Sequence, residues 1–238
     1  MRNLALDFGN TRIKAGTFSS GVLEEAKTFS VDELKQFISN TSWDNAIISS
    51  VSQEANEILQ LLRVRGKKIL LNHSTPLPIS LLYRTPQTLG VDRIAAACGA
   101  GELFPNRHAL AIDAGTCINY ELIDDKGNYH GGAISPGISM RFEAMHTFTA
   151  KLPLVMPVAN APLLGVDTLT CMQSGVMNGV WFEINEVIRQ YQSLYPNLGV
   201  VLCGGDHHLF EKKLNPFIFV APNLVLMGLN RILTHNAG

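Results

Sequence analysis

Residues 4–18 read LALDFGNTRIKAGTF, and residues 110–123 read LAIDAGTCINYELI. Both are apolar runs that end on an aspartate, break at a glycine turn and resume with alternating side chains. Period-two alternation on either side of turn residues predicts strand, turn and strand. The first hairpin is expected to run from Leu4 to Asp7, turn at Phe8-Gly9-Asn10-Thr11 and return through residues 12–18, with Arg12 and Lys14 on one face. A pattern restated half a chain later implies two similar halves. The boundary is placed near residues 106–109, giving an N-terminal domain of residues 1–108 and a C-terminal domain of residues 109–238.

Between the two copies the periodicity changes repeatedly. SVDELKQFISN (30–40) has a Ser/Asp start and apolar residues at helical spacing, WDNAIISSV (43–51) reads as strand, QEANEILQLLRVRG (53–66) as helix and KKILLN (67–72) as strand. Strands alternating with helices predict a mixed α/β sheet rather than a sandwich. An Ala-rich helix is expected to begin at Gly90-Val91-Asp92-Arg93 and to stop near Pro105. After the second copy come a Gly- and Pro-rich stretch, GGAISPGISM (131–140), and a helical FEAMHTFTAKL (142–152). A long amphipathic helix over about 168–195 follows, and then a buried strand, NLGVVLCGGD (197–206), ending in a Gly-Gly turn. Within the long helix Gly175 and Gly179 make a small-residue notch. Each glycine there costs about 1 kcal/mol unless another backbone packs closely against it, and a helix of a second subunit is the expected neighbour.

Composition narrows the function classes. A hydrophobic fraction of 46% against 16% charged residues suits a folded globule and excludes a disordered chain. The net charge of −1, with no basic run longer than a Lys-Lys pair, provides no stripe for nucleic acid. No apolar run is long enough to span a membrane, and the N-terminus lacks the apolar core of a signal peptide, so a cytoplasmic protein is expected. Four cysteines stand singly, which favours reduced, mostly buried thiols over a zinc site or a disulfide framework.

Chemistry concentrates in three turns that follow apolar strands: Asp7-Phe8-Gly9-Asn10-Thr11, Asp113-Ala114-Gly115-Thr116 and Cys203-Gly204-Gly205-Asp206. Glycine lets backbone N–H groups approach a phosphate, and threonine hydroxyls add donors. Carboxylates repel phosphate but hold the cations that neutralise it. This division of labour suits phosphoryl transfer from a nucleotide, whose transition state demands positioning and charge neutralisation. One Asp-x-Gly is an ordinary turn; two, in corresponding places at strand ends, favour function. No Gly-x-x-x-x-Gly-Lys-Ser/Thr loop occurs, and Gly99-Ala100-Gly101 sits late in a helix, so Walker-type and dinucleotide-binding folds are set aside. His207-His208 reads as a surface loop rather than a metal site. Asp92 falls in a helix's first turn, where the helix dipole favours negative charge. That placement is structural by itself, yet it also suits a carboxylate that accepts a proton from a substrate hydroxyl, with the Arg93 guanidinium steadying an anionic substrate.

Together these motifs resemble the type III pantothenate kinases, of the superfamily of acetate kinases, sugar kinases, heat-shock chaperones and actin. The resemblance is carried by DFGNTRIK (7–14), Tyr83, GVDR (90–93), DAGT (113–116), GGAISPG (131–137), TAKLP (149–153), the segment 168–175 and CGGD (203–206), in that order. It implies an α/β protein of two ribonuclease-H-like, actin-like ATPase domains, each a mixed sheet flanked by helices, with ATP in the cleft between them and an obligate homodimer. The implied reaction transfers the ATP γ-phosphate to the primary hydroxyl of pantothenate, the first step of coenzyme A synthesis. By motif matching, Asp7, Phe8, Gly9, Asn10, Thr11, Arg12, Ile13, Lys14 and Thr116 would bind ATP. Asp113 would ligate a monovalent cation, K⁺ or NH₄⁺, and Asp7 would act through Mg²⁺. Asp92 would be the proton acceptor. Tyr83, Gly90, Val91, Asp92 and Arg93 would line the pantothenate pocket, with Thr168 reaching in from the neighbouring subunit.

Two positions depart from the family pattern: Ala96 and Asn119 stand where many relatives carry Asn and Thr. Adjusted rather than lost activity is expected. Two other readings compete. One is a superfamily kinase for a different hydroxylated acid or sugar, which would not share Tyr83 with the GVDR pocket. The other is a non-catalytic, nucleotide-binding transcription accessory protein, against which the retention of Asp7, Asp92 and Asp113 weighs.

Overall fold

A computed structural model describes residues 1–9, 12–50, 53–210 and 217–238. In chain order its main elements are β1 (Arg2–Phe8), β2 (Ile13–Ser19), β3 (Val22–Phe29), α1 (Val31–Ser39), β4 (Ser42–Trp43), β5 (Asn45–Ser49), α2 (Gln53–Leu61), β6 (Arg63–Val64), β7 (Lys68–Leu70), β8 (Ser80–Leu81) and α3 (Val91–Leu103). There follow β9 (Ala109–Ala114), β10 (Cys117–Ile123), β11 (Asn128–Pro136), α4 (Ile138–Thr147), α5 (Thr168–Gln173), α6 (Gly179–Leu194), β12 (Gly199–Cys203), β13 (Ile218–Val220) and α7 (Leu224–Ala237). Contacts gather the chain into two compact units. One comprises Met1–Asn106, Ile123–His130 and Asn223–Gly238, the other Arg107–Leu122 and Gly131–Pro222.

In the first unit the expected hairpin forms, with β1 antiparallel to β2 and Asp7 directly opposite Lys14. The sheet order is β3-β2-β1-β5-β7, with β5 parallel to both β1 and β7. Alternation along β1 sends Leu4 and Leu6 to one face and Ala5 to the other. Leu4 and Leu6 pack with Leu34 and Ile38 of α1 and Ile58 of α2, while Ala5 packs with Ile94 of α3 and Leu229 of α7. Helix α1 starts where its sequence dictates. The Glu33 N–H donates to the Ser30 hydroxyl at 3.3 Å, and the Ser30 N–H donates to the Glu33 carboxylate at 2.6 Å, a reciprocal cap.

Helices α3 and α7 touch through glycine. A Cβ at Gly228 would lie 1.8 Å from the carbonyl oxygen of Ala95, and one at Gly99 would lie 2.6 Å from that of Leu224. The glycine at 99 is thus explained by backbone packing. Cys98 is buried in the same cluster, and burial pushes its thiol up to about 12.

In the second unit the sheet order β13-β12-β9-β10-β11 reproduces β7-β5-β1-β2-β3, with β12 parallel to both β9 and β13. The repeated sequence pattern therefore marks a repeated strand order. Three expectations need adjustment. The Gly- and Pro-rich residues 131–136 are the end of β11, and glycine is required within it because a Cβ at Gly132 would lie 1.6 Å from the Tyr120 carbonyl oxygen. The long helix is interrupted by a π-helical turn at Ser174–Asn178. There the Ser174 hydroxyl donates to the Leu163 carbonyl at 2.7 Å and the Asn178 amide to that of Pro162 at 3.0 Å; the widened turn carries both buried side chains to the preceding segment. Of the four free cysteines, Cys98 and Cys203 are buried, Cys117 is half-buried and Cys171 is exposed. Among the described residues, no helix is long and apolar enough to cross a membrane.

Candidate functional site

The first unit carries two groups of expected site residues. Asp7 sits where burial along β1 gives out, half-buried after four buried residues, and shares a cross-strand position with half-buried Lys14. Directly opposed residues project to the same face of the sheet. Arg12 is exposed, 3.7 Å from the Glu33 carboxylate. Ile13 is buried in the core, and half-buried Phe8 packs against it. Asn10 and Thr11 lie outside the described residues.

The GVDR segment opens α3 as expected, with Gly90 as its N-cap. Asp92 is exposed, and its Oδ1 accepts the Arg93 N–H at 2.9 Å. A Cβ at residue 90 would come 2.4 Å from that oxygen, so glycine leaves room for the carboxylate to fold over the helix end. Arg93 turns the other way. It is buried, its Nη2 donates to the Tyr129 hydroxyl at 3.2 Å, and its guanidinium carbon lies 5.9 Å from the Tyr83 ring centre. Successive helical residues diverge by about 100°, which separates the two charges that the sequence sets side by side. Val91 is half-buried beside Tyr83 in the same cluster, and Ala96, one helical turn after Asp92, is buried. Tyr129 escaped the sequence reading. It reaches this group because β8 pairs with the start of β11, setting Tyr129 opposite Leu81 and its ring 6.0 Å from that of Tyr83.

In the second unit, two of the three glycine turns meet. β9 and β12 lie side by side with Asp113 opposite Cys203, so the DAGT and CGGD turns leave adjacent strand ends. The Asp206 N–H donates to the Ala114 carbonyl at 2.9 Å. Gly204, at φ +88°, passes so close that a Cβ would lie 2.4 Å from Asp113 Oδ1 and 2.2 Å from the Ala114 carbonyl oxygen. That cradle of a half-buried carboxylate and a carbonyl suits a hard, oxygen-seeking cation. Asp206 is partly buried, which raises its carboxyl above the usual range against the opposing pull of His208 and His207. The two histidine rings lie against their own turn, with Nδ1 2.7 Å and 2.9 Å from the carbonyls of Gly204 and Gly205. Among the described residues no cluster of three or more His, Cys, Asp or Glu is placed to hold a metal ion.

Thr116 is exposed at the tip of the DAGT turn. Its carbonyl accepts the Gly137 N–H at 3.1 Å, and a Cβ at residue 137 would lie 2.4 Å from that same oxygen and 2.1 Å from that of Gly115. Gly137 is a second residue the sequence alone did not single out, although its place in GGAISPG is the available signal. Thr168 opens α5 and is exposed, with Asp167 as its cap accepting the Thr170 N–H at 2.8 Å. Asn119 is half-buried within β10.

Comparison with known proteins agrees with the motifs. A family model described as type III pantothenate kinase matches residues 3–190. The chain is 45% identical to the type III pantothenate kinase of Phocaeicola vulgatus over 98% of each chain. It is 44% identical to that of Cytophaga hutchinsonii over 98% of this chain and 99% of the relative. Its fold matches that of a solved structure described as a conserved putative Baf family transcriptional activator from Campylobacter jejuni, with a TM-score of 0.63 at 20% identity over 98% of both chains. With the matched motifs in order along nearly its whole length, the chain belongs to the type III pantothenate kinase family.

Proposed function

We infer that the protein is an ATP-dependent pantothenate kinase that transfers the γ-phosphate to the primary hydroxyl of pantothenate, giving 4'-phosphopantothenate at the start of coenzyme A synthesis. Family membership over nearly the full chain carries this reading. The exposed Asp92 carboxylate, folded over the N-terminus of α3, supports it with a group able to take the hydroxyl proton. Buried Arg93, braced by Tyr83 and Tyr129, gives the pantothenate carboxylate a fixed positive charge to approach. Gly90 and Val91 complete that pocket. Residues 7–14 and Thr116 are assigned to the ATP phosphates, with Asp7 acting through Mg²⁺ and Arg12 and Lys14 through their charged side chains.

The cradle of Asp113 and Gly204 supports a monovalent cation, K⁺ or NH₄⁺, and Asp7 is assigned to Mg²⁺. Bound cations there supply positive charge that offsets the phosphate oxygens. Release of ADP that depends on ATP, pantothenate, Mg²⁺ and either K⁺ or NH₄⁺ is the expected result, and its absence under those conditions refutes the reading. The proposed domains are residues 1–108 and 109–238, and the proposed location is the cytoplasm.

A homodimer belongs to the same proposal, with Thr168 serving the partner's pocket. In its support, Leu163, Leu164 and Val166 are 78%, 79% and 85% exposed and Phe182 is 56% exposed, an apolar surface beside Thr168 and the glycine notch. Beyond its chain neighbours and the backbone of its own helix, a Cβ built at Gly175 or Gly179 meets no atom of the described residues within 4 Å. Gly179→Leu should therefore leave the fold intact, and even raise helix propensity by about 1 kcal/mol, while blocking close approach of a second helix. Sedimentation should show monomers without activity; a fully active monomer would sink the assignment of Thr168.

A further inference from the structure

A polar network behind the Thr116 turn has no part in the assignments above. Glu183 of α6 accepts the Tyr120 hydroxyl at 2.9 Å through Oε1, while its Oε2 is the partner of the Arg141 guanidinium. Arg141 also reaches back from α4. Its Nη2 donates to the Ser135 hydroxyl at 2.8 Å and its Nε to the Pro136 carbonyl at 2.9 Å. The next residue is Gly137, whose N–H donates to the Thr116 carbonyl at 3.1 Å. Three elements, β10, α4 and α6, are thereby tied to one short stretch of backbone, and that stretch lies against the turn presenting Thr116.

The charges in this network are fixed. Burial alone would raise the Glu183 carboxyl, but hydrogen bonds from Arg141, Ser135 and Tyr120 outweigh it and hold it below its ordinary value. Burial, with Glu183 alongside, keeps the Tyr120 hydroxyl protonated far above its usual range. Charge-assisted bonds in a half-buried setting are among the stronger local restraints available to a loop. The chain spends an ionised pair and a buried phenol on holding residues 135–137, where a plain turn would need neither.

We propose that Glu183 and Arg141 are positioning residues for phosphoryl transfer: they press Ser135-Pro136-Gly137 against the carbonyls of Gly115 and Thr116 and so fix the Thr116 hydroxyl toward the ATP phosphates. This rests on the assignment of Thr116 to ATP. The restraint runs through α6, the helix that carries Gly179 and Phe182, so the same pair connects that helix to the phosphate turn.

Two readouts separate the brace from the assignment beneath it. Amide hydrogen exchange of residues 113–117 in nucleotide-free protein reports the brace without any activity. Steady-state kinetics report its consequence. Glu183→Gln and Arg141→Lys should each speed exchange of that segment and raise the KM for ATP about tenfold, the equivalent of one charged hydrogen bond, with the KM for pantothenate unchanged. Tyr120→Phe, which removes a single donor and keeps the ion pair, should give a smaller shift in the same direction and guards against misfolding of the charge variants. Unchanged exchange in Glu183→Gln overturns the brace. Faster exchange with an equal rise in both KM values overturns its nucleotide role. Thr116→Ala with an unchanged KM for ATP overturns the assignment of Thr116 itself, and the nucleotide half of the proposal with it.

Discussion

Asp92→Asn should lower kcat for pantothenate phosphorylation by about 10²- to 10⁴-fold, the usual cost of losing one positioned base, while thermal unfolding stays near wild type. Stability should hold because Asp92 is exposed and the hydrogen bond that its carboxylate accepts from the Arg93 N–H at 2.9 Å can be made equally by the amide oxygen of Asn. What is removed is the proton-accepting capacity and one negative charge at the helix N-terminus, the latter contributing at most about 1 kcal/mol at an exposed site. The KM for pantothenate should change little, because Arg93 is oriented by Tyr129 and Tyr83 rather than by Asp92. A drop in kcat with binding retained identifies a group acting in the transition state. Full activity in Asp92→Asn would overturn the mechanism.

The second large effect concerns the fold. Gly228→Ala places a methyl group 1.8 Å from the Ala95 carbonyl oxygen and 2.9 Å from the Gly99 amide nitrogen. Alanine gains about 1 kcal/mol in helix propensity over glycine, but the opposing atoms are backbone, and no rotamer change relieves the overlap. Helices α3 and α7 must separate along a closely packed crossing, and overpacking of this kind costs up to about 3 kcal/mol or more. The net result should be a loss of about 2 kcal/mol, seen as a Tm lowered by roughly 4–8 °C for a chain of this size. Because α3 begins with Gly90 and Asp92, activity should fall along with stability. A variant as stable as wild type would show that the helices do not cross this closely.

Much of the site was legible in local pattern. The apolar run, aspartate and glycine turn at 4–18 and 110–123 marked two hairpin-bearing sheets, and the structure arranges them in the same strand order. The start of α3 at GVDR and the cap of α1 at Ser30 followed from residue types whose hydrogen bonds close within a few positions. The resemblance carried by those motifs led to the family that the comparisons identify. Other features were less accessible. Gly137 is an ordinary turn residue in sequence, and its requirement comes from two carbonyl oxygens more than twenty positions earlier. The π-turn at Ser174–Asn178 depends on where the carbonyls of Pro162 and Leu163 arrive, which helical periodicity does not encode.

By itself the sequence determined the α/β class, the doubled hairpin pattern, the element boundaries near Asp7, Asp92 and Asp113 and the family, because all of these rest on short-range periodicity, turn chemistry and ordered motifs. Only the tertiary structure decided which way neighbouring charges face, so that Asp92 meets solvent while Arg93 is buried against Tyr129. It alone also returned α7, at the far end of the chain, to α3 and β1 of the first unit, where Asn230 accepts the Asn3 side-chain amide at 3.1 Å. The reason is physical: local pattern fixes how a segment folds and which face is apolar, but its partner is chosen by how closely two backbones can approach, and here that choice rests on two glycines, Gly99 and Gly228.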